Sequence, residues 1–373
     1  MLPKILTNEN RTKLLEKHSY IIVHDEVNRA LTELFDIAHP EKKDSKTESE
    51  VAEYVRLTTN NDTDNWGSWV FYPWLNQVVH MPPKEELRAL RTSRNRNLIT
   101  AEEQNRLYKA TILIIGMSVG SNVVEALVSQ GVGGKLVLID MDIIEPSNLN
   151  RIRAPYHHVG LHKVEAISRK VWEIDPYIEI TAYNDGLTES NIDQIFSDND
   201  IEIVIDEMDE LRMKILLRQK AKLQKLPVIM AADDGDDTLI DIERYDLKSG
   251  LELFNGLIPA EILEKVMQQT LPCAQTGMLI GKYFVGPEHI PLRMYQSLNE
   301  VGKTLPSWPQ LGGAATLSGV TLTYIARKII LGQNIRDGRI LISLDQKLNL
   351  AHEDEAHNQE LQRYQQMLKD IEL

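Results

Sequence analysis

Residues 111–129 read Thr111-Ile-Leu-Ile-Ile-Gly116-Met-Ser-Val-Gly120-Ser-Asn-Val-Val-Glu-Ala-Leu-Val-Ser129: an apolar run, a glycine pair, then apolar residues at helical spacing. Ile112 to Ile115 shows no polar alternation, which is the pattern of a strand buried on both faces. Val123 to Ser129 predicts a helix, and a second apolar run follows at Leu136 to Ile139. Strand, glycine turn, helix and strand in this order make up a parallel unit.

The unit repeats. Apolar runs at Ile178 to Ala182, Ile203 to Ile205 and Val228 to Ala231 alternate with helical stretches at Val164 to Ile174 and Leu211 to Gln224. This predicts the α/β class: a Rossmann-like, mostly parallel sheet with helices on both faces. Beyond Thr238 the period changes. Leu239 to Tyr245 reads as an added strand, Gly312 to Leu331 as a long helix with small residues on one face, and Asp354 to Lys369 as a polar amphipathic helix. The small-residue face is expected to let two copies of that helix approach closely.

Before residue 100 the character differs. Tyr20 to Val23 reads as a short strand, Val27 to Ile37 as a helix, His39 to Glu50 as a charged loop around Pro40, and Trp69 to His80 as aromatic-rich with strand-like stretches. A small N-terminal α+β domain over 1–85 is therefore expected ahead of the larger domain over 91–373.

Composition narrows the class. The 373 residues are 42% hydrophobic, normal for a buried core, and no apolar run approaches the ~20 residues that span a bilayer. Met1 to Arg11 lacks the charged head and apolar body of a signal peptide, so a cytoplasmic protein away from membranes is expected. A net charge of −14 repels a phosphate backbone and argues against a nucleic-acid partner. Cys273 is the sole cysteine, which excludes an internal disulfide.

Gly116-Met-Ser118-Val-Gly120 at a strand-to-helix turn offers backbone N–H groups and a helix N-terminus to phosphate. A tight structural turn has the same signature. Asp140 ends the second apolar run, where Rossmann-like sheets place a carboxylate on ribose hydroxyls. These two features fit a dinucleotide or ATP equally.

The next run separates them: Ile139-Asp-Met-Asp142-Ile-Ile-Glu-Pro-Ser-Asn148-Leu-Asn-Arg151, then Val159-Gly-Leu-His-Lys163. A dehydrogenase has no need of this cation pair, whereas a triphosphate requires cations to neutralise its charge. Asp-x-Asp, Ser-Asn-Leu-x-Arg and Gly-x-x-Lys together resemble the signature of the ThiF/MoeB/HesA family, relatives of ubiquitin-activating enzymes. The resemblance spans about Arg91 to Leu331.

It implies ATP- and magnesium-dependent conversion of a carboxylate into an acyl-adenylate. Gly116, Ser118 and Gly120 would then form the nucleotide loop with Asp140 and Asp142, and Asn148, Arg151 and Lys163 would contact phosphates. Asp209, at the end of Ile203-Val-Ile-Asp-Glu-Met-Asp209, would hold magnesium. A helix N-cap before Leu211 is the plain structural alternative for it. Arg91-Thr-Ser-Arg94 is similar to a family segment whose second arginine reaches the partner's ATP, so Arg94 is expected to act across a homodimer.

The chain also departs from the family. Ser118, Val119 and Ser121 stand where glycines are usual, and the two Cys-x-x-Cys pairs that bind zinc in many relatives are absent, so no zinc is expected. Ser307 and Trp308 occupy the region of the family's acceptor cysteine, and Cys273 reads as a packed residue, so no enzyme thioester is expected. Asp233-Asp-Gly-Asp-Asp237 reads as a solvated turn, the alternatives being a second cation or a basic substrate group. His157 and His158 read as loop histidines.

Members that mature microcin C or pantocin-type peptides are similar in having a peptide-binding domain first. They imply a small ribosomal peptide as substrate, modified at a carboxylate or carboxamide. Activation of a ubiquitin-like or sulfur-carrier C-terminus is the alternative. From other classes, an NAD-dependent oxidoreductase or an inactive dimeric scaffold remains.

Overall fold

The computed structural model describes residues 2–268, 277–298, 300–350 and 354–369. By contacts the chain divides into two compact units: Met1–Lys109 with Val128–Gly134 and Ser168–Glu179, and the remainder.

The first unit holds a four-stranded sheet, in the order β1 (Lys4–Leu6), β3 (Ser68–Tyr72), β4 (Gln77–Met81), β2 (Ile22–Asp25). β1–β3 and β3–β4 pair antiparallel, and β2–β4 pair parallel. Helix α2 (Val27–Ala38) buries Val27, Leu31, Leu34 and Phe35 at helical spacing, three of them around Trp66. Two further helices show only a short apolar stripe, Leu14 and Leu15 in one and Tyr54 and Val55 in the other. Asn8–Lys17 buries no residue, and Glu48–Thr58 starts at a capping box in which Thr47 and Glu50 satisfy each other's backbone N–H groups.

The second unit is built on a seven-stranded sheet in the order β11-β10-β9-β8-β5-β6-β7. The central strands are β5 (Thr111–Ile115), β6 (Lys135–Ile139), β8 (Ile203–Asp206) and β9 (Val228–Asp234); β7 is Glu179–Tyr183, β10 Asp237–Glu243 and β11 Gly338–Ile342. The pairs β5–β6, β5–β8 and β8–β9 are parallel, while β10 runs antiparallel to both neighbours. The sheet is thus mixed and mostly parallel, flanked by helices. All five residues of β5 are buried, which is why that run shows no alternation.

The chain turns outward from β5 to β6 on one side and to β8 on the other. Ligands of open α/β sheets settle at the carboxyl ends of the strands at such a switch point.

The helix Gly312–Ile330 lies on β9 and β10. Its small residues are spent within the chain: a Cβ at Gly312 would fall 2.2 Å from the Asn150 carbonyl oxygen, and one at Gly319 would fall 2.7 Å from Asn122. Ala314, Ala315, Ser318 and Ala326 are buried with them. This corrects the expectation that the small-residue face is reserved for a second copy.

Candidate functional site

The turn after β5 requires glycine. Gly116 has φ +86°, and a Cβ there would sit 2.3 Å from the Glu207 carbonyl oxygen, so no other residue fits without moving β8. Helix α6 (Val119–Ser129) opens after two intervening residues, four residues earlier than the apolar spacing suggested. Gly120 lies in its first turn, closely packed on Ile114 and Met117.

Asp140, at the end of β6, binds this loop. Its Oδ2 accepts from the Met117 N–H at 2.5 Å and its Oδ1 from the Asp142 N–H at 2.7 Å. Burial pushes its carboxyl above the usual carboxylate range, and the two N–H groups together with Lys163 pull against that. Asp142 continues the chain of contacts, since its Oδ2 accepts from Lys163 Nζ at 2.7 Å. Lys163 is buried at the start of α7 (Lys163–Ile174).

Arg151 closes the other side of the loop. It ends the 3-10 turn Pro146–Asn150, which Asn148 ties by accepting from the Glu145 N–H at 3.0 Å. Arg151 Nε donates to Ser118 Oγ at 3.0 Å, and its main-chain carbonyl accepts from buried Asn122 at 3.1 Å. The glycine loop, Asp140, Asp142, Arg151 and Lys163 therefore form one hydrogen-bonded constellation. Two guanidinium- and ammonium-bearing side chains stand beside a helix N-terminus, which suits a polyanion.

At the end of β8 the carboxylates have different tasks. Asp206 is fully buried and pairs with Arg218 at 2.6 Å and Lys214 at 3.1 Å. Burial alone would raise its pKa, but the two cations outweigh that and hold it below the usual range. Arg218 also bonds Glu243 at 2.6 Å and stacks its guanidinium on Phe254, so a fully buried network anchors this strand end.

Asp209 instead is exposed. The N-cap assigned to it as an alternative belongs to Glu210, whose carboxylate accepts from the Arg212 and Met213 N–H groups of helix Leu211–Leu223. Asp209 and Arg151 both act on the carboxyl of Asp233, one raising and one lowering its pKa, and burial is the larger cause that raises it. Gln310 Nε2 reaches Asp233 at 3.3 Å.

Glu207, passed over inside the quoted motif, belongs to the same end of the sheet. Its Oε1 accepts from the Ala231 N–H at 2.8 Å, and burial raises its pKa well above the usual range. A carboxylate between two motif aspartates was the available signal. Asn122 and Gln310 carried none, because their partners come from distant segments.

The structure does not bring every expected residue to this constellation. Arg94 is exposed on the turn Ser93–Asn95 of the first unit, where neighbouring Arg91 is consumed by Asp175 at 2.5 Å. His157 and His158 stack edge-on in the turn Tyr156–His158. Cys273 lies outside the described residues. The Asp233 to Asp237 run is not a solvated turn throughout, since Asp234 is buried. Among the described residues no group of three or more His, Cys, Asp or Glu side chains is placed to hold a metal, and no helix is long and apolar enough to cross a membrane.

Residues 92–237 match the ThiF family. An uncharacterized protein of Mycobacterium tuberculosis, MT1398, is 34% identical over 281 residues, 75% of this chain and 38% of its own length. A tRNA threonylcarbamoyladenosine dehydratase of Bacillus subtilis is 33% identical over 155 residues, 40% of this chain and 60% of its own length. The chain thus spans less than two thirds of either relative. Escherichia coli MccB, crystallised with MccA-N7isoASN, shares the fold with a TM-score of 0.50 at 15% identity, over 86% of this chain and 84% of that one.

Proposed function

Residues 92–237 of this chain form a ThiF-family domain, and from that premise we propose that the protein adenylates a substrate carboxylate with ATP. The observation that carries the reading is the constellation around Gly116, in which Ser118 binds Arg151 and Asp142 binds Lys163. A nicotinamide cofactor would give these cations no shared purpose. A triphosphate does.

In the proposed reaction a carboxylate oxygen attacks the α-phosphorus of ATP. The new C–O–P bond forms as the α–β phosphoanhydride breaks, and pyrophosphate leaves in line. Asp140 receives the ribose, the loop from Gly116 to Gly120 and Asn148 position the phosphates, and Arg151 and Lys163 stabilise the oxygens that gain charge. Lys163 must exchange its contact with Asp142 for a phosphate oxygen. The serine at 118, bulkier than the family's glycine, holds Arg151 by its Nε in return.

Asp209 fits a magnesium ligand. It is an exposed carboxylate at the carboxyl end of the sheet, and magnesium takes one or two carboxylates together with phosphate oxygens. The ion would neutralise charge on the leaving pyrophosphate.

The substrate we favour is a small ribosomal peptide. A first unit with its own sheet and helices offers a surface for peptide, and the MccB neighbour was crystallised with MccA-N7isoASN. A ubiquitin-like or sulfur-carrier C-terminus is the alternative. The relative named for tRNA argues for a third, but a net charge of −14 opposes it.

Equilibrium binding of ATP and NADH to the full chain tests the nucleotide. ATP is expected to bind tighter with magnesium, and Arg151→Ala and Lys163→Ala are each expected to weaken it by roughly tenfold or more. NADH binding tighter than ATP would overturn the reading.

A further inference from the structure

The start of α6 grips Arg151 at two points. Asn122, 5% exposed, donates through Nδ2 to the Arg151 carbonyl at 3.1 Å, and Ser118, one turn earlier, accepts from Arg151 Nε at 3.0 Å. Ser118 is itself fixed, because Ser121 Oγ donates to its carbonyl at 2.8 Å. At the far end of the guanidinium, Nη1 donates to Asn150 Oδ1 at 3.0 Å and to the Ser147 carbonyl at 3.3 Å. Nη2 is the nitrogen left without a hydrogen-bond partner among the described residues.

These contacts decide what the arginine can do. An arginine side chain has many rotamers, and a contact with an anion must first overcome the cost of selecting one. Here the selection is made before an anion arrives. The guanidinium is planar, so fixing Nε and Nη1 also fixes the direction of Nη2. A glycine or an alanine at 118 would offer Nε no side-chain oxygen.

We propose that Ser118 is a positioning residue: its hydroxyl orients Arg151 so that Nη2 meets a phosphate oxygen, and it does not itself bind the nucleotide. This rests on the nucleotide reading of the Gly116 loop, and it gives the loop's departure from glycine a purpose. Bulk at 118 is exchanged for a preorganised cation. The contribution of Ser118 then depends wholly on Arg151. A hydroxyl that touched phosphate directly would keep its contribution without the arginine.

A double-mutant cycle tests this, with ATP affinity in the presence of magnesium read by calorimetry on the full chain. Ser118→Ala is expected to weaken binding roughly threefold to tenfold, the scale of one hydrogen bond's net contribution. Ser118→Thr, which keeps the hydroxyl, is expected to recover most of that loss. In an Arg151→Ala background Ser118→Ala should cost less than about twofold, whereas in a Lys163→Ala background it should cost its full share. Circular dichroism checks the folding of each variant. Equal losses in the wild-type and Arg151→Ala backgrounds, or no loss in Ser118→Ala, overturn the proposal while leaving ATP binding in place. A second readout needs no nucleotide. In protein carrying isotope-labelled arginine, the Nε–H resonance that disappears in Arg151→Lys should exchange with water more slowly in wild type than in Ser118→Ala. Equal exchange rates overturn the contact itself. A wild type that binds no ATP yet shows the Ser118-dependent resonance overturns the nucleotide reading, and with it the role given to Ser118.

Discussion

Asp209 and Asp206, three positions apart, differ in burial and so in the roles open to them. Asp206 has its charge absorbed by Arg218 and Lys214, whereas Asp209 is exposed and is not the helix cap. Asp209→Ala should therefore leave the unfolding midpoint unchanged while magnesium-dependent turnover falls roughly 10²–10³-fold; near-normal turnover in the folded variant removes Asp209 from the site. Asp234 gives a prediction in pH. Its folded pKa of about 7 lies above the ~3.9 of an unfolded aspartate, so between those values the native chain keeps a proton that the unfolded chain releases. In divalent-free buffer, stability contributed by this group is full below pH ~4 and declines until about pH 7, by at most ~4 kcal/mol. Urea denaturation across that range should show the slope in wild type and its loss in Asp234→Asn. A slope shared by both proteins contradicts the assignment. Among the expected site residues, Asp140, Asp142, Arg151 and Lys163 were legible because their motif is contiguous, whereas Gln310 meets Asp233 only through the fold.

Elements were legible where burial left a pattern. The runs at Ile112, Leu136 and Ile203 mark β5, β6 and β8 within a residue or two, since strands covered on both faces must be apolar throughout. The helix Asn8–Lys17 was invisible to that logic because it rests only partly buried Leu14 and Leu15 on the core, and its Thr7 cap is the clearer signal. β11 was missed for a similar reason: a half-buried edge strand of five residues, with Ile340 49% exposed, has little pattern to read. The start of α6 was obscured by Gly120 and Ser121, weak helix formers kept for packing and the loop. The small-residue stripe of Gly312–Ile330 was visible, but not its target. Gly319→Val should test that target, because its side chain meets the Asn122 backbone; a loss of roughly 1–3 kcal/mol by urea denaturation is expected. Unchanged stability would mean that the helix does not rest on α6.

At the scale of the whole molecule, the two units separate the expected residues: Arg94 belongs to the first, and Asp140, Arg151, Lys163 and Asp209 to the second. The resemblance places Arg94 in the neighbour's site of a homodimer. If so, Arg94→Ala and Asp209→Ala subunits are each inactive alone but complement when mixed. Random exchange should restore about one quarter of wild-type activity, as half the dimers are mixed and each keeps one intact site. Native mass spectrometry that detects mixed dimers without recovered activity would place Arg94 outside its partner's site. Adenylation itself is the claim on which the rest depends, and isotope exchange measures it most directly. The full chain is incubated with ATP, magnesium, labelled pyrophosphate and a pool of short peptides bearing free C-terminal carboxylates. The expected result is peptide-dependent entry of label into ATP, lost in Asp209→Ala; ATP consumed to ADP and phosphate with no label returned would contradict it.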